Sequence, residues 1–369
     1  MKRRIIVCCD GTWQDLYCKY PTNVVKTAQA IKAVSSNGIK QIVYYDAGIG
    51  TRVVGEKGSV TDALVKLGGG GIALGIDRKI EEIYRFLCLN YQRLEDGEEP
   101  DDLYLVGFSR GAYIVRCLAG LIYNSGLPNR RYIRRIPEAY EIYRDKISDS
   151  KHPDGAISTK FRKSYGERIP IKALCCWDTV ASVGIPNLIP GIELDKKFNE
   201  RYGFHDIKIN PDIENAFHAL AIDEDRKVFD CTLMQHADSH KTNLHQVWFP
   251  GGHGCVGGGS KDERGLSDGA LEWMLEMTES LGLCVDRTNI EYSIKSEPDK
   301  YGVYPVYSSP FKMPKSPFGH KLREIPVSLD VQRDLHESTK RRWRDSQCCY
   351  RPSNLDKVVQ GRLDNQGLT

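Results

Sequence analysis

Residues 103–122 read LYLVGFSRGAYIVRCLAGLI. An apolar run, Leu103 to Gly107, enters Gly107-Phe108-Ser109-Arg110-Gly111, and a second apolar stretch follows from Ala112 to Tyr123. A short continuous apolar run that ends in a turn suits a strand buried on both faces, and the longer one suits a buried helix. Strand, tight turn and helix make half of a parallel α/β unit. The turn itself fits G-x-S-x-G. In such an elbow the serine is held in a strained conformation with its hydroxyl exposed, and glycines two positions to either side relieve the crowding. The reading predicts Ser109 as a nucleophile and Gly107 and Gly111 as the elbow glycines. The Arg110 N–H would face a developing oxyanion beside the positive end of the helix dipole.

Outward from this unit, further short apolar runs predict the rest of a parallel sheet. Arg4 to Cys9 runs into Asp10-Gly11-Thr12, and Gln41 to Asp46 runs into a glycine-bearing loop. Ile171 to Trp177 is followed by Asp178, and His245 to Phe249 ends at Pro250. Apolar spacing predicts helices over Ile72 to Tyr91 and Leu266 to Leu281. Pro211 to Ile222 is expected to be a helix, Asn129 to Ile169 surface helices and loop, and Arg52 to Gly71 largely irregular. The Gly68–Gly71 run has no following Gly-Lys-Ser/Thr, so it is not a nucleotide P-loop and is expected to be a flexible loop.

A serine alcohol needs a base, usually a histidine oriented by a carboxylate. In α/β-hydrolase order the acid follows the serine and the histidine comes last. Asp178 and His253 each follow a predicted strand, where open α/β sheets place their sites. They are the expected acid and base, with His218 as an alternative base on the predicted Pro211–Ile222 helix. The Asp10-Gly11-Thr12 turn is expected to supply a second oxyanion donor from the N–H of Gly11 or Thr12. Asp-Gly-Thr also occurs in phosphatases that use Asp-x-Asp-Gly-Thr, but Cys8 stands where their nucleophilic aspartate belongs. His236, Asp238, His240 and His245 leave a metal-dependent hydrolase as a further alternative, although that segment has no helical apolar face.

The chain has 369 residues, 40% hydrophobic and 27% charged, which argues against bulk disorder. A net charge of +3 without a long basic block gives no footprint for nucleic acid. The apolar run after Arg4 is too short for a signal-peptide core, and no stretch approaches a transmembrane length, so a cytoplasmic protein is expected. Twelve cysteines include no CxxC pair, and the doublets Cys8-Cys9, Cys175-Cys176 and Cys348-Cys349 are badly spaced for one zinc site. Buried reduced thiols are the expectation, and no metal or cofactor is called for.

The segments CCDGTW, GIGT, LVGFSRGAY, CWDTVASVG, FHALAIDEDR and VWFPGGHGCVGGG occur in that order. Together they resemble the α/β-hydrolase family that includes the catalytic domains of type VI secretion phospholipase effectors. The likeness runs from about residue 4 to 280 and extends weakly to Tyr350-Arg351-Pro352, similar to a Tyr-x-Pro that such proteins carry. It implies a Ser–Asp–His hydrolase of acyl esters, with lipid or phospholipid as substrate, transient contact with a membrane surface, and delivery that needs no signal peptide. The nucleophile maps to Ser109, the acid to Asp178 and the base to His253. The chain departs from the family after the histidine, with Gly254, Cys255 and Ser260 where polar +1 and +2 residues and a tyrosine are common. The expected architecture is an α/β-hydrolase-like catalytic domain over 1–285, with a mostly parallel sheet covered on both faces. Inserted cap segments lie near 124–168 and 182–210, and an extension over 286–369 packs on the same domain. A module of the same fold that binds a ligand or partner without catalysis is the reading of a different class.

Overall fold

The Asp102–Phe108 strand lies inside a six-stranded sheet, and every pairing in that sheet is parallel. The computed structural model describes residues 2–50, 60–94, 99–145, 147–181, 208–236, 242–259, 265–290, 319–346 and 348–359, with backbone alone for 60–74. The strands, in chain order, are β1 (Arg3–Cys9), β2 (Lys40–Asp46), β3 (Asp102–Phe108), β6 (Ala173–Trp177), β7 (Asn215–Ala221) and β8 (Asn243–Phe249). A separate two-stranded ladder pairs β4 (Leu127–Pro128) with β5 (Gly166–Glu167). The spatial order of the sheet is β2-β1-β3-β6-β7-β8, so the chain moves one way from β1 and then returns to the other side of it. Such a reversal opens a crevice at the carboxyl ends of the two strands beside it.

Alternation along each strand divides the interior into two cores. Ile5, Val7 and Cys9 of β1 pack with Leu103 and Leu105 on one face, while Ile6 and Cys8 pack with Tyr104 and Val106 on the other. Helices α2 (Val60–Asn90), α3 (Arg110–Ser125), α4 (Ile136–Arg144) and α5 (Ala156–Tyr165) cover the first face. Helix α1 (Asn23–Ala30) and the Leu266–Ser280 helix cover the second. With both faces covered, this is the α/β-hydrolase-like arrangement that the sequence pattern predicts. No helix among the described residues is long and apolar enough to cross a membrane.

A third apolar cluster joins Leu220, Ile222 and Trp248 at the end of the sheet to Ile325, Leu329, Leu335, Trp343, Tyr350 and Leu355. Leu335 forms a parallel bridge with Trp248. The Trp248 N–H donates to Asp334 O at 2.8 Å, and the His336 N–H donates to Trp248 O at 3.0 Å. The described part of the C-terminal stretch carries helices at Glu337–Arg344 and Ser353–Val359.

Two expectations are corrected. The stretch read as a helix over Pro211–Ile222 is β7, fully buried along its length. A strand covered on both faces shows no alternation, and alanines in NAFHALA then imitate a helical pattern. Helix α2 begins at Val60, so the Gly68–Gly71 run is helical backbone rather than a loop. The glycine-dense Gly251–Gly259 segment contains a short helix at His253–Gly257. Most of the expected cap segment at 182–210, along with 291–318, lies outside the described residues.

All twelve cysteines are free thiols. Cys8, Cys9, Cys175 and Cys176 are buried in the sheet, and burial pushes the Cys176 thiol up to about 12. They act there as small apolar side chains.

Candidate active site

Ser109 follows β3 with φ 58° and ψ −121°, a backbone conformation that non-glycine residues rarely adopt. The two elbow glycines explain how the chain tolerates it. A Cβ on Gly107 would stand 2.6 Å from the Gly111 carbonyl oxygen, and one on Gly111 would stand 2.1 Å from the Cys9 oxygen. Neither position has room for a side chain. The Ser109 N–H donates to Trp177 O at 3.0 Å, which ties the elbow to the end of β6. Arg110 is the first residue of α3, where backbone donors have no acceptor within the helix. Its guanidinium lies over the Phe229 ring at 5.5 Å, and burial lowers it to about 10.

The Asp10-Gly11-Thr12 turn lies against the serine, since a Cβ on Gly11 would be 3.4 Å from Ser109 Cβ. Its carboxylate organises the neighbourhood. Asp10 accepts from the Gly11 N–H at 2.7 Å, the Thr22 hydroxyl at 2.9 Å and the Tyr45 hydroxyl at 2.8 Å. Burial outweighs these bonds and pushes the Asp10 carboxyl up to about 6. The Gly11 N–H is therefore committed to Asp10, which corrects the expectation that it is free for an oxyanion. Thr12 Oγ1, by contrast, is buried without a hydrogen-bond partner among the described residues.

Asp178 and His253 come together. Trp177 pairs with Phe108 across β3 and β6, so Ser109 and Asp178 leave neighbouring strands side by side. Asp178 also has a positive φ, 44°. His253 Nδ1–H donates to Asp178 Oδ2 at 2.5 Å, and the Ala221 N–H donates to Oδ1 at 3.0 Å. The imidazole is held between two aromatic rings, Phe108 at 4.6 Å and Phe229 at 4.7 Å between centroids. Its Nε2 is buried and has no hydrogen-bond partner among the described residues. Burial lowers the His253 pKa, and the Asp178 carboxylate opposes that without reversing it.

Four residues that the sequence reading left without a role hold this pair. Arg323 donates from Nη1 to Asp178 Oδ1 at 2.5 Å and from Nη2 to Oδ2 at 2.7 Å. Burial alone would raise the Asp178 carboxyl, but the Arg323 charge and then the hydrogen bonds from Arg323 and His253 hold it well below the usual carboxylate range. Glu224 accepts the His253 N–H at 2.9 Å and grips Arg226 with both oxygens, at 2.7 and 2.8 Å. Asp223 accepts from the Gly251 N–H at 2.5 Å and from the Tyr350 hydroxyl at 2.6 Å. Asp223 and Glu224 belong to the FHALAIDEDR motif, and Tyr350 to the Tyr-x-Pro, so for these three the signal was present as motif without function. Arg323 carried none.

His218, the alternative base, is on β7 and has both ring nitrogens engaged. Its Nε2 accepts from the Thr179 N–H at 3.1 Å, and Nδ1 faces Gln246 Oε1 at 3.3 Å. Burial, and then the charge of Arg116, lower its pKa to about 3, so it is a neutral structural histidine. Of the possible metal cluster, Asp238 and His240 lie outside the described residues, His236 is exposed, and His245 faces Asn243 at 2.8 Å. No group of three His, Cys, Asp or Glu side chains placed for a metal is found among the described residues. Ser260, one of the departures after His253, is also outside them, while Cys255 is buried against Leu266.

Four similarities to known proteins are found. Residues 3–277 match the family model described as T6SS, Phospholipase effector Tle1-like, catalytic domain. The uncharacterized protein YEL023C of Saccharomyces cerevisiae is 30% identical over 194 residues, covering 50% of this chain and 27% of that protein. The chain thus matches about a quarter of the length of that relative. An uncharacterized protein from Pseudomonas aeruginosa resembles this chain with a TM-score of 0.41 at 18% identity, covering 77% of this chain and 46% of that one. The Tle1 effector bound to the VgrG spike of a type 6 secretion system does so with a TM-score of 0.37 at 18% identity, covering 70% and 52%. With three quarters of its length matched by the family model, and the elbow, acid and histidine all within that span, the chain belongs to the Tle1-like phospholipase effector catalytic domain family.

Proposed function

We propose that this protein is a serine hydrolase of lipid acyl esters, with phospholipid as the favoured substrate class and Ser109, Asp178 and His253 as its triad. The observation that carries this reading is a buried Asp178–His253 hydrogen bond at 2.5 Å whose imidazole retains an unpartnered Nε2, beside a serine on a strained elbow. In the proposed mechanism His253 Nε2 takes the Ser109 proton as Oγ bonds to the ester carbonyl carbon. Asp178 fixes the tautomer, because Nδ1–H is engaged and Nε2 carries the lone pair. The Arg110 N–H and the Thr12 side of the Asp10-Gly11-Thr12 turn stabilise the oxyanion. Collapse breaks the bond to the leaving alcohol, which receives the proton from His253. Water, deprotonated by the same nitrogen, then releases the acyl group as a carboxylic acid and restores Ser109. None of these steps calls on a metal.

The test is mass spectrometry of phospholipid vesicles incubated with wild type and Ser109→Ala protein. Free fatty acid and lysolipid should form with wild type and stay at background with the variant. A fluorophosphonate probe should label Ser109, which a non-catalytic binding module of this fold would not allow. Activity of Ser109→Ala near the wild-type level would overturn the assignment.

A further inference from the structure

Arg323 makes the most extensive contact with the Asp178–His253 pair, and it arrives from 145 residues beyond the acid. The segment that carries it is seated by backbone bonds, with Lys227 N–H donating to Gly319 O at 3.2 Å and Lys321 N–H to Asp225 O at 2.6 Å. Asn354 Nδ2 donates to the Arg323 carbonyl oxygen at 3.2 Å from the far side. The guanidinium meets both Asp178 oxygens and also donates to Phe229 O at 2.6 Å and Ala221 O at 3.3 Å. Both side chains are buried, Arg323 at 1% and Asp178 at 0% exposure. Phe229 is also the ring that stacks on His253, so one arginine touches the acid and the backbone behind one wall of the base.

We propose that Arg323 is a positioning residue for the reaction, acting through Asp178: its planar fork fixes the carboxylate in the line that His253 Nδ1 meets, and its charge balances that buried carboxylate. The proposal rests on the serine-hydrolase reading above. The physical argument has two parts. A buried carboxylate is strongly unfavourable unless it is paired and fully hydrogen-bonded, and here a neutral imidazole alone would leave it uncompensated. A bidentate guanidinium also sets the carboxylate plane, which a single hydrogen bond from His253 does not.

The charge has a consequence for the base. Arg323 opposes a proton on His253, whereas Asp178 and Glu224 favour one. The other groups facing the pair are Arg226, held by Glu224; Arg110, across Phe229; and His218 and Cys231, both near Asp178. All of these groups are still present when Arg323 is changed. Removing the arginine leaves Asp178 as an unbalanced negative charge, so the histidine should hold its proton to higher pH.

The experiment is kcat/KM for a short-chain p-nitrophenyl ester across acid to alkaline pH, for wild type, Arg323→Met and Arg323→Lys, with fluorophosphonate labelling of each. In Arg323→Met the acidic limb should move upward by about one pH unit, with kcat reduced about tenfold or more. Arg323→Lys keeps the charge but not the fork, so its limb should stay near wild type while kcat still falls. A purely structural arginine would lower activity and stability together and leave the limb unmoved. An unmoved limb in Arg323→Met would overturn the proposal. If that variant does not fold, Arg323→Lys decides, because wild-type kcat there would rule out positioning by the fork. Wild type that fails to label would sink the hydrolase reading itself, whereas labelling with an unmoved limb would sink only the role of Arg323.

Discussion

The two halves of the site are built in opposite ways. The nucleophile side is local: β3, the elbow and α3 occupy one continuous stretch, and Gly107, Ser109 and Gly111 impose its shape within five residues. The acid and base side is assembled from a distance. Asp178 is held by Arg323, the His253 amide by Glu224, and the Gly251 amide by Asp223, which Tyr350 holds in turn. The shape of the first half rests mainly on the strained Ser109 and its two glycines, and that of the second mainly on buried charge, although Asp178 also has a positive φ. A local device can be damaged by one atom in the wrong place, whereas a distributed one should weaken in steps as its supports are removed.

The largest expected effect falls on the local side. Ser109→Ala should lower ester hydrolysis by about 10³-fold or more while leaving thermal stability unchanged, as measured by initial rates and a melting curve. Gly111→Ala tests the elbow by shape alone. Its Cβ would meet the Cys9 oxygen at 2.1 Å, so a loss of about 3 kcal/mol in a denaturant titration is expected, with activity falling as well. A Gly111→Ala protein as stable as wild type would show that the elbow can open.

Smaller effects should follow on the assembled side. Glu224→Gln removes the charge that grips Arg226 while keeping an acceptor for the His253 amide, and a drop of about tenfold in kcat/KM is expected. The Glu224 carboxyl lies below its ordinary value: burial would raise it, but Arg226 more than compensates. Its contribution to stability is therefore present above the unfolded carboxyl value and lost as pH falls through the lower folded value. Asp223 runs the other way. Burial pushes it up to about 6 despite the Tyr350 hydroxyl, so its contribution is complete below the unfolded value near 3.8 and is lost as pH rises through about 6. Asp223→Asn should flatten that part of the stability-against-pH curve measured by chemical denaturation. Tyr350→Phe is the mildest change, expected to cost about 1 kcal/mol with little effect on KM.

This contrast also explains what the sequence made legible. The elbow could be read from a few residues because strand, turn and helix each leave a pattern in adjacent positions. Asp178 and His253 were legible as residues that end buried strands. β7 was misread because a strand covered on both faces loses the period that identifies it, and with it His218 was placed on a helix. The partnership of Asp223, Glu224 and Tyr350 with the histidine loop depends on which strands lie side by side, and motif order does not contain that. Arg323 sits in HKLREIP, an irregular stretch without apolar period, and only the folded chain brings it to Asp178.

The bridge between Leu335 and Trp248 has a consequence for dissection of the protein. A fragment ending near residue 285, just beyond the residues 3–277 that match the family, would keep all three proposed triad residues. It would also uncover Leu220, Ile222 and Trp248 and leave the Trp248 backbone groups at the outer border of β8 without acceptor or donor. An apolar strand border of that kind is a template for another chain. The first symptom of such a truncation should be self-association in size-exclusion chromatography, ahead of any loss of helical or sheet signal.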